Sequence, residues 1–154
     1  MREPIWLTYL WDNGFAVATA VCLAAGLWGG KTERVFAATF WIAWALTIVV
    51  QSHGSKGPGG QVILIDSLVL VVFVAASVKS RRLWTIFATA SQIDDVASHI
   101  TARLLHFGLW SYLSAVGIWG GWFLIFCIAA GTIGYRLRLK AGTRSGTAAF
   151  AGSR

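Results

Sequence analysis

The chain has 154 residues, 56% of them hydrophobic and 12% charged, with a mean hydropathy of +0.66. A soluble domain carries about 25% charged residues, so half that share at this hydropathy excludes an ordinary soluble domain and implies one membrane-embedded bundle. The net charge of +7 resides in short connections and the C-terminal stretch, which is the distribution of the positive-inside rule and not that of a nucleic-acid-binding surface.

Residues 1–13 open with Pro4, suited to a first helical turn, and with Trp6, Tyr9 and Trp11, residue types that anchor at a membrane–water interface. One Arg beside one Glu and no convincing small-x-small site make a cleaved signal peptide a poor match. Span one is expected over about 15–30, with Gly26 and Gly30 at the spacing that lets helices approach closely. Lys31, Glu33 and Arg34 read as a short turn. Span two follows over about 35–51, with Trp41 and Trp44 well inside it and set to pack against other helices.

Residues 52–60 contain four glycines and Pro58 and cannot propagate a helix. The spacing is not that of a phosphate-binding loop, and no strand precedes it. Span three, about 61–78, is an Ile/Leu/Val run interrupted by Asp66. A carboxylate at the centre of a membrane helix costs about 2.5–3.5 kcal/mol, and less toward the ends. Lys79, Arg81 and Arg82 form the strongest internal basic cluster, and Trp84 falls where an interface anchor belongs.

The fourth helix, about 83–105, concentrates the chemistry. Gln92, Asp95, His99, Arg103 and His106 fall on one face in a stripe about 80° wide, while Ile86, Ile93, Ala97, Ile100 and Leu104 form an apolar stripe on another. Asp95, His99 and Arg103 at i,i+4 spacing satisfy one another in the plainest reading. A last apolar span runs over about 109–135, with Trp119 and Trp122 and a second GxxxG at Gly117 and Gly121. Residues 141–154 read as a basic, disordered tail. Cys22 and Cys127 lie in apolar segments without the spacing of a disulfide framework or zinc site, and read as small buried hydrophobes.

These elements define an all-α polytopic bundle over residues 1–140, and two threadings compete. Burying Asp94, Asp95 and Arg103 costs on the order of 5–9 kcal/mol before partners are credited, which favours four spans plus an amphipathic interfacial helix. A crossing fourth helix instead gathers the 31–34 turn, the 79–82 cluster and the tail on one side, which makes that side cytoplasmic. Five spans in a bacterial inner membrane, N-terminus outside and C-terminus inside, explain more of the sequence. In that threading Asp66 and His99 lie at the same depth in adjacent antiparallel helices, and the two are expected to pair.

Ile65-Asp66, Arg81-Arg82-Leu83-Trp84, Gln92, His99, Tyr112, Trp119 and Gly131-Thr132 resemble a family of small multi-span membrane proteins of alphaproteobacteria. The likeness covers roughly residues 60–135. It implies a threading and no activity, and it does not extend to Asp94-Asp95 or to the tail.

Nothing in the chain reads as an enzyme: there is no GxSxG, HExxH, Walker or Rossmann pattern. The expected function is that of a small non-catalytic integral membrane protein, an accessory or assembly subunit, in contact with the lipid bilayer and with other membrane subunits or itself. The polar cluster Asp66, Gln92, Asp95, His99, Arg103 and His106 is expected to be structural or a relay, and no metal site or cofactor is expected. The alternatives are proton or ion conduction, and a haem b or quinone anchor with His99 as an iron ligand. His99 and His106 are about 10 Å apart along the helix axis, too far to share one iron.

Overall fold

The computed structural model describes the backbone of residues 5–52, 59–105 and 109–151, and the side chains of residues 13–51, 59–105 and 111–142. His53, His106, most of the glycine-rich loop and residues 152–154 lie outside the described residues. The described chain is helical throughout, without a strand. The helices are α1 (Ile5–Trp28), α2 (Lys31–Ser52), α3 (Gly60–Ser80), α4 (Leu83–Leu105) and α5, continuous over residues 109–151 with a π-helical segment at Gly117–Phe123.

Three stretches are long and apolar enough to cross a bilayer, which marks a membrane protein: Lys31–Gln51, Gly60–Ser80 and Ser111–Gly142. Asn13–Trp28 is a shorter apolar helix. α4 does not join that set, because its midsection carries Gln92, Asp94, Asp95 and His99. It nevertheless packs within the bundle, against α3 on one side and α5 on the other, and does not lie apart on its surface. Ser91, Gln92, Asp95 and His99 are buried, while Ile86, Phe87, Ile93, Ile100 and Leu104 face outward. The other helices also turn large apolar side chains outward, among them Leu27, Val71 and Ile133. An apolar exterior around a polar centre is the inverse of a water-soluble fold.

The α3–α4 connection is two residues long. Arg81 adopts the left-handed conformation at φ 52°, and its N–H closes α3 by donating to the Ser77 carbonyl at 2.9 Å. The buried Ser77 hydroxyl donates to the Thr85 carbonyl at 2.8 Å and meets the Thr89 hydroxyl at 2.7 Å, stitching the two antiparallel helices together. The turn expected at Lys31–Arg34 is instead the opening turn of α2. There Glu33 is fully buried and ion-paired with Arg82. Gly30 lies against the Tyr135 ring of α5 so closely that a Cβ at position 30 would come within 2.8 Å of it. The α1–α2 turn, the α3–α4 turn and the cations that follow Tyr135 on α5 therefore share one end of the bundle. At the opposite end the Arg103 guanidinium lies beside Gly60, at the start of α3.

Near the basic end apolar side chains fill the core around the buried Glu33, Ser77 and Thr89. Phe36, Phe73, Ala88, Leu124 and Ile128 are completely buried, with the Phe36 and Phe73 rings 4.2 Å apart. Trp84, expected as an interface anchor, joins this core instead: it packs edge-on to Phe36 at 4.9 Å and lies over Gly131. Trp41 and Trp44 pack against Phe15 of α1. Beyond Ala141 the backbone continues as helix to Ala151, where the sequence reading has a disordered tail. The segment contains no proline, and its glycines weaken a helix by only about 1 kcal/mol each without ending it.

Candidate functional site

The polar stripe of α4 meets α3 and α5 in one buried cluster. Asp95 is 3% and His99 1% exposed. His99 Nε2 lies 2.9 Å from Asp66 Oδ2, across the α3–α4 interface, and 3.9 Å from Asp95 Oδ1, one turn back on its own helix. The pairing of Asp66 with His99, expected from depth alone, is thus present. On the other edge of the ring, His99 Nδ1 lies 2.7 Å from the Tyr112 hydroxyl of α5. Gln92 spans the two acidic residues: its amide donates to Asp95 Oδ2 at 3.3 Å and to the Asp66 backbone carbonyl at 3.4 Å.

Not every group is satisfied. Asp95 Oδ1 and His99 Nε2 are buried without a directed hydrogen bond, although they face each other and Asp66. One donor atom from each of Asp66, Asp95 and His99 falls within 4.8 Å of the other two. A buried carboxylate oxygen and ring nitrogen left in this way cost free energy unless something positive sits between them.

The cluster forms part of the wall of a cavity of about 260 Å³. Its lining reaches Gln51 at the end of α2 and Val62 at the start of α3, at the end of the bundle away from the basic residues. Toward the basic end it stops against the apolar core of Phe36, Phe73 and Leu124.

The π-helical segment shapes the third wall. A π turn adds a residue and displaces the backbone from the regular ladder, and such segments recur at functional sites. Here the Trp119 carbonyl accepts a hydrogen bond from Ser91 at 2.5 Å. Gly120 touches the Asp95 carboxylate so closely that any Cβ would collide with it. The missing side chain at 120 is what admits Asp95 to the cluster.

Of the residues singled out in the sequence, Asp66, Gln92, Asp95 and His99 come together. Arg103 does not: it is exposed at the helix end and makes no ion pair with a described residue, so the chain of Asp95, His99 and Arg103 satisfying one another stops at His99. His106 lies outside the described residues. Tyr112 and Gly120 were not read as site residues. A tyrosine hydroxyl inside an apolar span needs a partner, a signal sufficient to find Tyr112 but not used for it; Gly120 carries none, since it lies between the two glycines of the GxxxG pair.

Comparison with protein-family profiles, with curated protein sequences and with solved structures yields no match to this chain.

Proposed function

We propose that the chain is a five-span, non-catalytic protein of the bacterial inner membrane that holds a cation, a proton in the simplest case, in a site open to the outer face. The carrying observation is the convergence of Asp66, Asp95 and His99 at the wall of a cavity that reaches the end of the bundle away from the basic cluster. Five spans are supported by the packing of α4 between α3 and α5 with its polar face inward. The orientation, N-terminus outside and C-terminus in the cytoplasm, follows from the cations gathered at one end. The lining of the cavity does not include Phe36, Phe73 or Leu124, which fill the core toward the basic end, and this favours a binding protein over a conductor.

An accessory role within a larger complex is supported by one further feature. Asp94 is exposed at the midpoint of α4, between the outward-facing Ile93 and the rest of the apolar face. A carboxylate there is expensive in lipid, and a partner subunit that donates to it removes the cost.

Two measurements test the reading. In lipid nanodiscs the ring ¹⁵N resonances of His99 should move with pH, and Asp66→Asn and Asp95→Asn should each change that response. In sealed liposomes the chain should add no proton or metal-ion flux. Resonances indifferent to both substitutions would remove the cation site, and a flux abolished by His99→Ala would replace binding by conduction.

A further inference from the structure

We infer that the cluster of Asp66, Asp95 and His99 is a binding site for a divalent first-row transition-metal ion of the manganese, iron or zinc kind. The inference rests on the cation-site reading above and names the ion.

The donor set carries it. Two carboxylates and one imidazole converge from two helices with their donor atoms within 4.8 Å of one another. Bonds of about 2.0–2.2 Å from each donor to a central ion set the donors about 3–3.6 Å apart, so side-chain rotation must draw the most widely spaced pair together when the ion binds. Asp95 Oδ1 and His99 Nε2, both deeply buried, have no directed hydrogen bond, and Nε2 lies 2.9 Å from Asp66 Oδ2 and 3.9 Å from Asp95 Oδ1. A shared ion gives both a partner at once. The charge also balances, since a dication neutralises the buried Asp95 and the partly buried Asp66 carboxylates.

The surroundings resemble the outer shell of a metal site. A ligating imidazole is normally held by a hydrogen bond at its other nitrogen, which fixes the tautomer and the ring plane. The Tyr112 hydroxyl occupies that position at His99 Nδ1. Gln92 holds Asp95 Oδ2, which leaves Oδ1 free to face the ion. The adjoining cavity has room for the waters that complete the coordination and gives the ion a path from the outer end. The chemical class follows from the same set. Imidazole disfavours calcium and magnesium, which take oxygen donors, and the absence of thiolate from the cluster disfavours copper(I).

The test uses the full chain in lipid nanodiscs, stripped with a chelator and titrated with Co²⁺ as an optical probe. Ligand-field absorption should saturate at one ion per chain, be displaced by Zn²⁺ and persist in excess Mg²⁺. Asp95→Asn and His99→Gln should abolish it. Tyr112→Phe keeps the ring and removes only the group that orients His99, so it should weaken binding by about 10–100-fold with folding intact by circular dichroism. Wild-type chain that binds no Co²⁺ while His99 still responds to pH would overturn the metal and leave the cation reading standing. Loss of both responses would overturn both. Co²⁺ binding that survives His99→Gln would place the ion elsewhere and also overturn the inference.

Discussion

Removing the Arg82 guanidinium isolates a carboxylate that has nowhere to go. Glu33 is fully buried, Arg82 is its ion-pair partner, and Glu33 Oε2 has no hydrogen bond of its own. Breaking a fully buried pair by deleting one member costs about 3–5 kcal/mol, mostly as the penalty of the stranded charge. Two features lower that figure here. The Arg82 side chain is 31% exposed, so water already shares the pair, and Glu33 sits in the first turn of α2, where the helix dipole favours a negative charge. Arg82→Gln should therefore destabilise by about 2–3 kcal/mol. Glu33→Gln should cost less, because the charge it strands on Arg82 can reach water. The double substitution should cost less than the two single changes added together, with a coupling of about 1–2 kcal/mol. The assay is unfolding of the four proteins in one detergent, by heat or by added dodecyl sulfate, followed by tryptophan fluorescence. Single effects that add within about 0.5 kcal/mol would refute the reasoning, and with it the placement of the α1–α2 and α3–α4 turns at one end.

Exchanging the cluster pair, Asp66→His with His99→Asp, should retain more stability than Asp66→Asn alone in the same unfolding assay, and equal losses would count against the contact. Gly120→Ala should destabilise by about 1–3 kcal/mol by pushing the Asp95 carboxylate from its seat. Gly26→Ala, with open space where its Cβ would go, should be neutral or stabilise by up to about 1 kcal/mol; similar losses at both glycines would show that the π segment is not in contact with Asp95. Asp94→Leu should raise the stability of the isolated chain in lipid nanodiscs, since it removes an exposed carboxylate from the middle of an apolar face, and a lower unfolding temperature would show that this face does not meet lipid.

The helices were legible because a membrane span is written locally, as a run of apolar residues bounded by charge, glycine or proline. α4 agrees with its expected limits, 83–105, and α3 extends one residue before and two beyond the expected 61–78. The pairing of Asp66 with His99 was legible for a related reason: once two adjacent helices are antiparallel, residue number converts to depth at about 1.5 Å per residue. Rotation about the helix axis was less legible. Trp84 has an interface anchor's place in sequence, yet its azimuth turns it onto Gly131 and into the core. The GxxxG pattern shows the same limit. It selects Gly26 and Gly30 equally, but only Gly30 faces a neighbour, Tyr135. The π segment was hidden for a different cause, since its extra residue is stabilised by what α4 offers at Ser91 and Asp95, not by any local preference of Gly117–Phe123.

The helix with the weakest membrane signal is thus packed by its polar side between α3 and α5. The on-the-order-of 5–9 kcal/mol charged to α4 treats Asp94, Asp95 and Arg103 as if each met hydrocarbon. In the bundle Asp95 meets Gln92, His99 and the backbone of Gly120, and Arg103 sits at the helix end beside Gly60. Only Asp94 retains its full charge against lipid. That residue alone would not keep a helix out of the bilayer, whereas moving α4 to the surface would strand Asp66 without His99 and Trp119 without the hydroxyl that its carbonyl accepts from. Low hydropathy in α4 is therefore what a helix shows when its polar face is buried between two neighbours. The polar cluster and its cavity lie in the half of the bundle away from the basic end, and Phe36 and Phe73 lie in the other.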